Sequence, residues 1–419
     1  MTGRIGLSVM PLAMLGLVGP ALAQSALEFP PSEAVTGAIE ESPSVRAAQV
    51  RIEAASANAR ALSAGPHEFT VAGALGRRSI EQEGSYIEYE ASVERGIRLP
   101  GKSALDRRAG ALGITAAEHR LADARHRAAL LLNDLWWDWL GATADVGSGE
   151  TSVANLSASL NAVSRRVTLQ DAAKVDEDQA RAALAGEQRL LEQARSRAGV
   201  ARARLAVLFP SLPLPIEAPD LPIPEQPDEN LDTLAQSALG QSHDLNGLQA
   251  EVDRLATLAA RARRDRLADP TIGARVFAER GGVERGFGIT ASIPLGGRGR
   301  SAVARLAEAE ARVATAEYAA ARFGVLETAT VGPIEAEGAW RAWQRSVVAL
   351  TNTQQAASRL RQGYRLGGID LSDLLYAERQ AQEATRAENM VRVDALRAIA
   401  KLRINAHQLW SANHEWNAL

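Results

Sequence analysis

The sequence predicts an α+β fold written twice, each copy carrying two strands of membrane-spanning length and a very long helix. Three observations predict it: landmarks that recur at a nearly constant offset, period-two alternation in four short segments, and two uninterrupted helix-forming runs. The recurrence carries most weight. Ser42-Pro43-Ser44-Val45 and Ser242-His243-Asp244-Leu245 open helical stretches 200 residues apart. Gly101-Lys102-Ser103 answers to Gly297-Arg298-Gly299 at 196, and the run from Asp176 to Ala180 answers to Asp373 through Ala377 at 197. Trp136 and Trp139 are echoed by Trp340 and Trp343, three apart in each case. A fixed period of this kind marks one unit used twice.

Composition narrows the class. The 419 residues are 46% apolar but only 4% aromatic, and Ala, Leu and Arg are abundant, which favours long helices in side-by-side contact over a sandwich. The formal charge of −3 gives no basic surplus for nucleic acid. Cysteine is absent, so disulfides, thiolate metal sites, cysteine nucleophiles and lipidation on Cys are excluded. Residues 1–23 read as a secretory signal: Arg4 is the only charge, an apolar run follows, and Ala21-Leu22-Ala23 is the cleavage site. Loss of that arginine leaves the exported chain at −4. No later stretch is apolar for long enough to span a membrane as a helix.

Each half reads helix, two strands, long helix, turn, helix. Helical periodicity shows in Val45-Ala48-Ile52-Ala55-Ala59 and in Leu245-Leu248-Val252-Leu255-Ala259. Phe69, Val71, Gly73 and Leu75 share one strand face; Ile87, Tyr89, Ala91 and Val93 share the next, with Glu88, Glu90, Ser92 and Glu94 opposite. Ile272, Ala274, Val276 and Ala278, then Phe287, Ile289, Ala291 and Ile293, repeat the pattern. Alternation alone fits a half-buried soluble sheet equally well. Export and the strand count favour a membrane, because four strands cannot close a barrel and open edges are not tolerated in lipid. Several chains must then each supply four. Glu88, Glu90, Arg275 and Thr290 would line the lumen and the apolar residues would face lipid.

The runs from Ser103 to Val167 and from Gly299 to Gly363 predict helices of roughly 100 Å at 1.5 Å per residue. Gly147, Gly149 and Gly332-Pro333 predict a kink or local unwinding within them. Between the halves, 209–230 is dense in proline and reads as an extended connector. The first repeat then occupies 24–208 and the second 231–419.

No catalytic centre stands out, and no cofactor or resident metal is implied. Gly96 to Ser103 spells a phosphate-loop pattern, but its preceding strand carries Glu88, Glu90 and Glu94, which a central parallel strand would not bury. It reads as a strand-to-helix turn with basic residues at the membrane surface. Gly286 to Ala291 matches a dinucleotide fingerprint but lies inside a strand. His119/His126 and His407/His414, each pair seven apart on predicted helices, read as surface or interface histidines. Two turns remain, 166–176 and 364–375, at the far ends of the long helices. As helix-hairpin turns capped by aspartate they require no function.

Signal, duplicated strand-strand-long-helix units, proline-rich connector and the Tyr364-to-Arg379 segment together resemble the outer-membrane efflux factors, the TolC-like channels. The segment carries Tyr364, Gly367 and Ser372-Asp373-Leu374-Leu375-Tyr376-Ala377-Glu378-Arg379. Length and a short tail are similar to the heavy-metal, CzcC-type branch. The resemblance implies a homotrimer whose twelve strands form an outer-membrane barrel, continued by an α-helical tunnel through the periplasm. It implies docking on a periplasmic adaptor and an inner-membrane pump of RND type, with passive export of small molecules or metal ions. Asp373 matches an acidic ring at the closed tip, while the second ring position holds Tyr376. Tyr364 and Asp176 match a hairpin-to-hairpin hydrogen-bonding pair; Ile369 stands where an arginine often joins it, with Arg365 nearby. The competing reading is a periplasmic coiled-coil adaptor, which would lack the four alternating strands.

Overall fold

The computed structural model describes residues 29–227 and 240–410. The signal reading of 1–23, the start of the second repeat and His414 lie outside them. Two short helices, α1 (Ser32–Glu40) and α2 (Pro43–Ala64), precede strands β1 (Phe69–Ile80) and β2 (Gly84–Gly96). A long helix α3 (Lys102–Thr168) then turns into α4 (Lys174–Leu208). The second pass runs α5 (His243–Arg264), β3 (Thr271–Glu279), β4 (Glu284–Ser292), α6 (Arg298–Arg365) and α7 (Leu371–Asn405). Equivalent serines, Ser42 and Ser242, sit at the N-caps of α2 and α5.

The order of elements therefore repeats, and the long helices match their predicted spans to within two residues. At 67 and 68 residues they run about 100 Å each. The predicted unwinding is absent: both helices are continuous through 147–149 and 332–333. Gly149 is instead a close-approach site, where an added Cβ would meet Leu191 Cδ1 of α4 at 3.2 Å. Pro333 is buried, and the apolar cluster of Ala336, Ile399 and Leu402 just beyond it binds α6 to α7. Packing holds the helix where local propensity would let it break.

The strands form one antiparallel meander, β1-β2-β3-β4, and β2 pairing with β3 joins the two halves. The largest apolar core lies along the middle of α3. Leu132, Trp136, Trp137 and Leu140 are packed there by α1, α2, the connector residues Phe209 and Leu212, and Leu396 and Ile404 of α7. Trp136 and Trp139 belong to that core, whereas their counterparts Trp340 and Trp343 stand on α6, Trp343 donating to Glu388 Oε1 at 2.8 Å.

Candidate functional site

The sheet has two unlike faces. Register places Val71 opposite Val93, Val93 opposite Ala274, and Ala274 opposite Ile289, so the alternating apolar residues of all four strands share one side, with Arg77, Arg95 and Arg285 near its ends and Phe277 on the other side, opposite Glu90. That side is bare: Leu75 is 79% exposed, Ile289 81% and Phe287 85%. The other side is polar. Glu88 and Glu279 pair with Arg78, Glu90 lies 3.5 Å from Arg275, and Thr290 Oγ1 donates to Glu94 Oε1 at 3.1 Å. Glu88, Glu90, Arg275 and Thr290 are thus neighbours on one face.

Where the strands meet the helices, the structure builds a buried ionic network that local sequence reading misses. Lys102, expected as a basic residue at a membrane surface, is only 1% exposed. Its ammonium lies 2.9 Å from Asp265 and 2.8 Å from Asp269, and donates to the Leu267 carbonyl at 2.7 Å. These partners lie beyond α5, in the other half of the chain. Asp106 is held between Arg98 (3.0 Å) and Arg261 (2.8 Å), and Arg261 also pairs with Asp265. Arg98 lies over Gly65, whose φ of +78° and lack of a side chain admit the guanidinium. Burial alone would raise the Asp269 carboxyl, but hydrogen bonds from Lys102, the Leu99 amide and His67 hold it at about 2. The phosphate-loop pattern is thereby accounted for: its lysine holds strand to helix.

At the opposite end, both hairpins close with the same left-handed cap. Gly367 at φ +80° lets the Gly368 amide return to the Gly363 carbonyl; Gln170 at φ +61° does the same for Asp171 and Arg166, again 197 residues earlier. A small apolar cluster, Val163, Ala180, Leu371 and Leu374 with Tyr364 against it, binds the hairpins together. Asp176 is half-buried, and its Oδ2 accepts from the Ala173 amide at 3.3 Å. The Tyr364 ring is faced by the Arg166 guanidinium at 5.6 Å, which also donates to Asp171 Oδ2 at 3.0 Å. Arg365 and Asp373 are exposed, Asp373 in the first turn of α7.

His119 and His126 lie on α3 as expected, but one histidine departs from expectation. His407 lies past the end of α7 instead of on a helix, and it meets both His126 and His243. Gly286 to Ala291 lies within β4 as expected. Among the described residues no helix is long and apolar enough to cross a membrane, and no three His, Cys, Asp or Glu side chains are grouped to hold a metal ion.

No family model and no curated protein matches the sequence. Solved structures do. The Campylobacter jejuni CmeC outer membrane channel superposes on 92% of this chain and 88% of its own, with a TM-score of 0.73 at 14% identity. The outer membrane protein VceC of Vibrio cholerae covers 91% of this chain and 96% of its own, with a TM-score of 0.73 at 17% identity. The chain has the outer-membrane channel fold. A third structure, the open state of the Neisseria gonorrhoeae MtrE outer membrane channel, aligns over 91% of this chain and 90% of its own at 16% identity, with a TM-score of 0.70. In the outer-membrane channel fold the bare apolar sheet face and the distant hairpin tips acquire a common frame: one end of the long helices carries strands, the other carries turns.

Proposed function

We propose that three copies of this chain close a twelve-stranded barrel in an outer membrane and extend it as a helical tunnel across the periplasm. The pore is a passive exit, not an enzyme, for small molecules or metal ions delivered by an inner-membrane pump of RND type through a periplasmic adaptor. One observation carries this reading: a four-stranded sheet with one largely apolar, largely exposed face and two open edges, β1 and β4. In water that face costs about 25 cal/mol for each Å² left uncovered, and in lipid the unpaired edges cost several kcal/mol per group. Closure with further copies in lipid relieves both. A coiled-coil adaptor has no use for such a sheet.

On this reading residues 1–23 direct export, and 24–208 and 231–419 are the two repeats joined by the 209–230 connector. Glu88, Glu90, Arg275 and Thr290 face the barrel lumen. Asp373 forms an acidic ring where three α7 N-termini converge; the helix dipoles favour its anion, while mutual repulsion demands a restraint. Tyr364 and Asp176, with Arg365 nearby, supply that restraint between hairpins, and Arg166 stiffens it by stacking on Tyr364. The mass of the detergent-extracted protein tests the assembly: a trimer is expected, and a monomer or dimer overturns it.

A further inference from the structure

Three imidazoles from three separate elements meet in the helical wall. His126 is on α3, His243 is the first residue of α5, and His407 occupies the left-handed position, φ +55°, that ends α7. The His126 and His407 rings are 5.6 Å apart, those of His243 and His407 5.2 Å. His126 Nε2 donates to Asn405 Oδ1 at 3.1 Å, and the His407 ring is hydrogen-bonded to the Gln241 backbone, just ahead of α5. The cluster thus ties α3 to the end of α7, and α7 to the start of α5. It spans both halves of the chain.

The surroundings oppose positive charge there. From α3, His119, Arg125 and Arg127 add cationic or titratable groups, Arg125 being paired with Glu40 of α1, and Asp123 lines the cavity beside the rings. Asp123 is paired with Arg127 at 2.9 Å, and Asp244 of α5 pairs with the same arginine at 3.3 Å. Glu327 of α6 stands on the wall of a cavity of about 540 Å³ that the three rings also line. His243 has the further disadvantage of a helix N-terminus, where a cation meets the positive end of the dipole. Burial first, then the neighbouring His407, pushes His126 and His243 from 6.5 down to about 4.

We propose that the three histidines are a proton-released clasp, which ties α3, α5 and the end of α7 together at neutral pH and lets go in acid. The direction follows from linkage. The opened form titrates near the ordinary histidine value and takes up protons between pH 6.5 and 4, whereas the closed form does not. The clasp is therefore at full strength above 6.5, weakens as pH falls, and loses nothing more below about 4. At pH 5 the opened form gains about 30-fold for each of His126 and His243 that is displaced. The cavity beside the rings gives them room to separate.

Backbone amide exchange of the full chain in detergent, at pH 7.5 and 5.0 and corrected for the intrinsic exchange rate, tests this directly. Segments 240–250 and 400–410 should lose at least about tenfold in protection at the lower pH. His407→Asn, which keeps a residue tolerant of the left-handed backbone, and separately His126→Gln, which keeps a donor for Asn405, should flatten that response. If His407→Asn does not fold, His126→Gln still decides. Equal protection of the unmutated protein at both pH values, or an unchanged pH response in the folded variants, overturns the clasp. The readout is local exchange and not conductance, so it stands or falls independently of the channel reading.

Discussion

The two ends of the long helices are held by opposite means. At the strand end, Lys102, Asp106, Arg261 and Asp269 are buried together, and their pairs cross from one half of the chain to the other. At the hairpin end, the tips of α3–α4 and α6–α7 meet through a small apolar cluster and the half-exposed stacking of Arg166 on Tyr364, with an ion pair between the hairpins, Arg386 to Glu187, about four turns back. Breaking a buried ion pair leaves an uncompensated charge, while an exposed contact of the second kind is replaced by water at little cost. On the proposed reading, the difference fits one end to anchoring and the other to movement. The proposed exit duct, which must stay sealed in its membrane yet open toward its supplier, needs that polarity.

Substitutions at the two ends should separate the roles, and the largest effect is expected at the anchor. Lys102→Met leaves Asp265 and Asp269 without their shared ammonium and should destabilise by about 3–5 kcal/mol, read from denaturant unfolding. A loss as small as that of a surface lysine would refute the anchor. Next comes the sheet: Ala291→Arg on the apolar face should cost about 2–4 kcal/mol and impair assembly, whereas Thr290→Arg on the polar face should assemble normally. Equal damage would reverse the face assignment. At the tip, Arg166→Ala should cost only about 0.5–1 kcal/mol, since its stacking on Tyr364 is half-exposed. Gln170→Gly should act in the other direction, relieving a left-handed glutamine by up to about 1 kcal/mol, with Gly367 as the natural precedent. Acid sharpens the contrast further. The Asp269 carboxyl, depressed to about 2, contributes stability that is complete above its unfolded value and fades as pH falls toward 2. The strand–helix junction should therefore keep its amide protection at pH 5, where the histidine clasp loosens.

Strands, long helices and the duplicated order were legible because each rests on short-range periodicity: Ile87 to Val93 alternates, and 67 residues of α3 lack any breaker strong enough to stop it. What periodicity cannot carry is pairing across distance. Lys102 reads as a turn residue because its partners lie some 165 positions away, beyond a second helix. His126, His243 and His407 follow no spacing rule at all; only the closing of α5 and α7 on α3 brings them together. The glycines near 147 and Pro333 do not unwind their helices for the same reason, since the neighbours that keep those helices continuous are on other elements. Tyr364 was found through its motif, but Arg166, its stacking partner, belongs to the other hairpin and has no local mark.

Single-channel conductance in planar bilayers tests most directly whether the hairpin tip is the releasable end of a channel. The unmutated protein should form channels of low conductance, and Tyr364→Phe combined with Asp176→Ala should raise it without altering the mass of the assembly. Asp373→Ala should weaken block by multivalent cations added on the periplasmic side. Conductance and cation block indistinguishable from those of the unmutated channel would contradict the assignment and place the narrowing elsewhere along the tunnel.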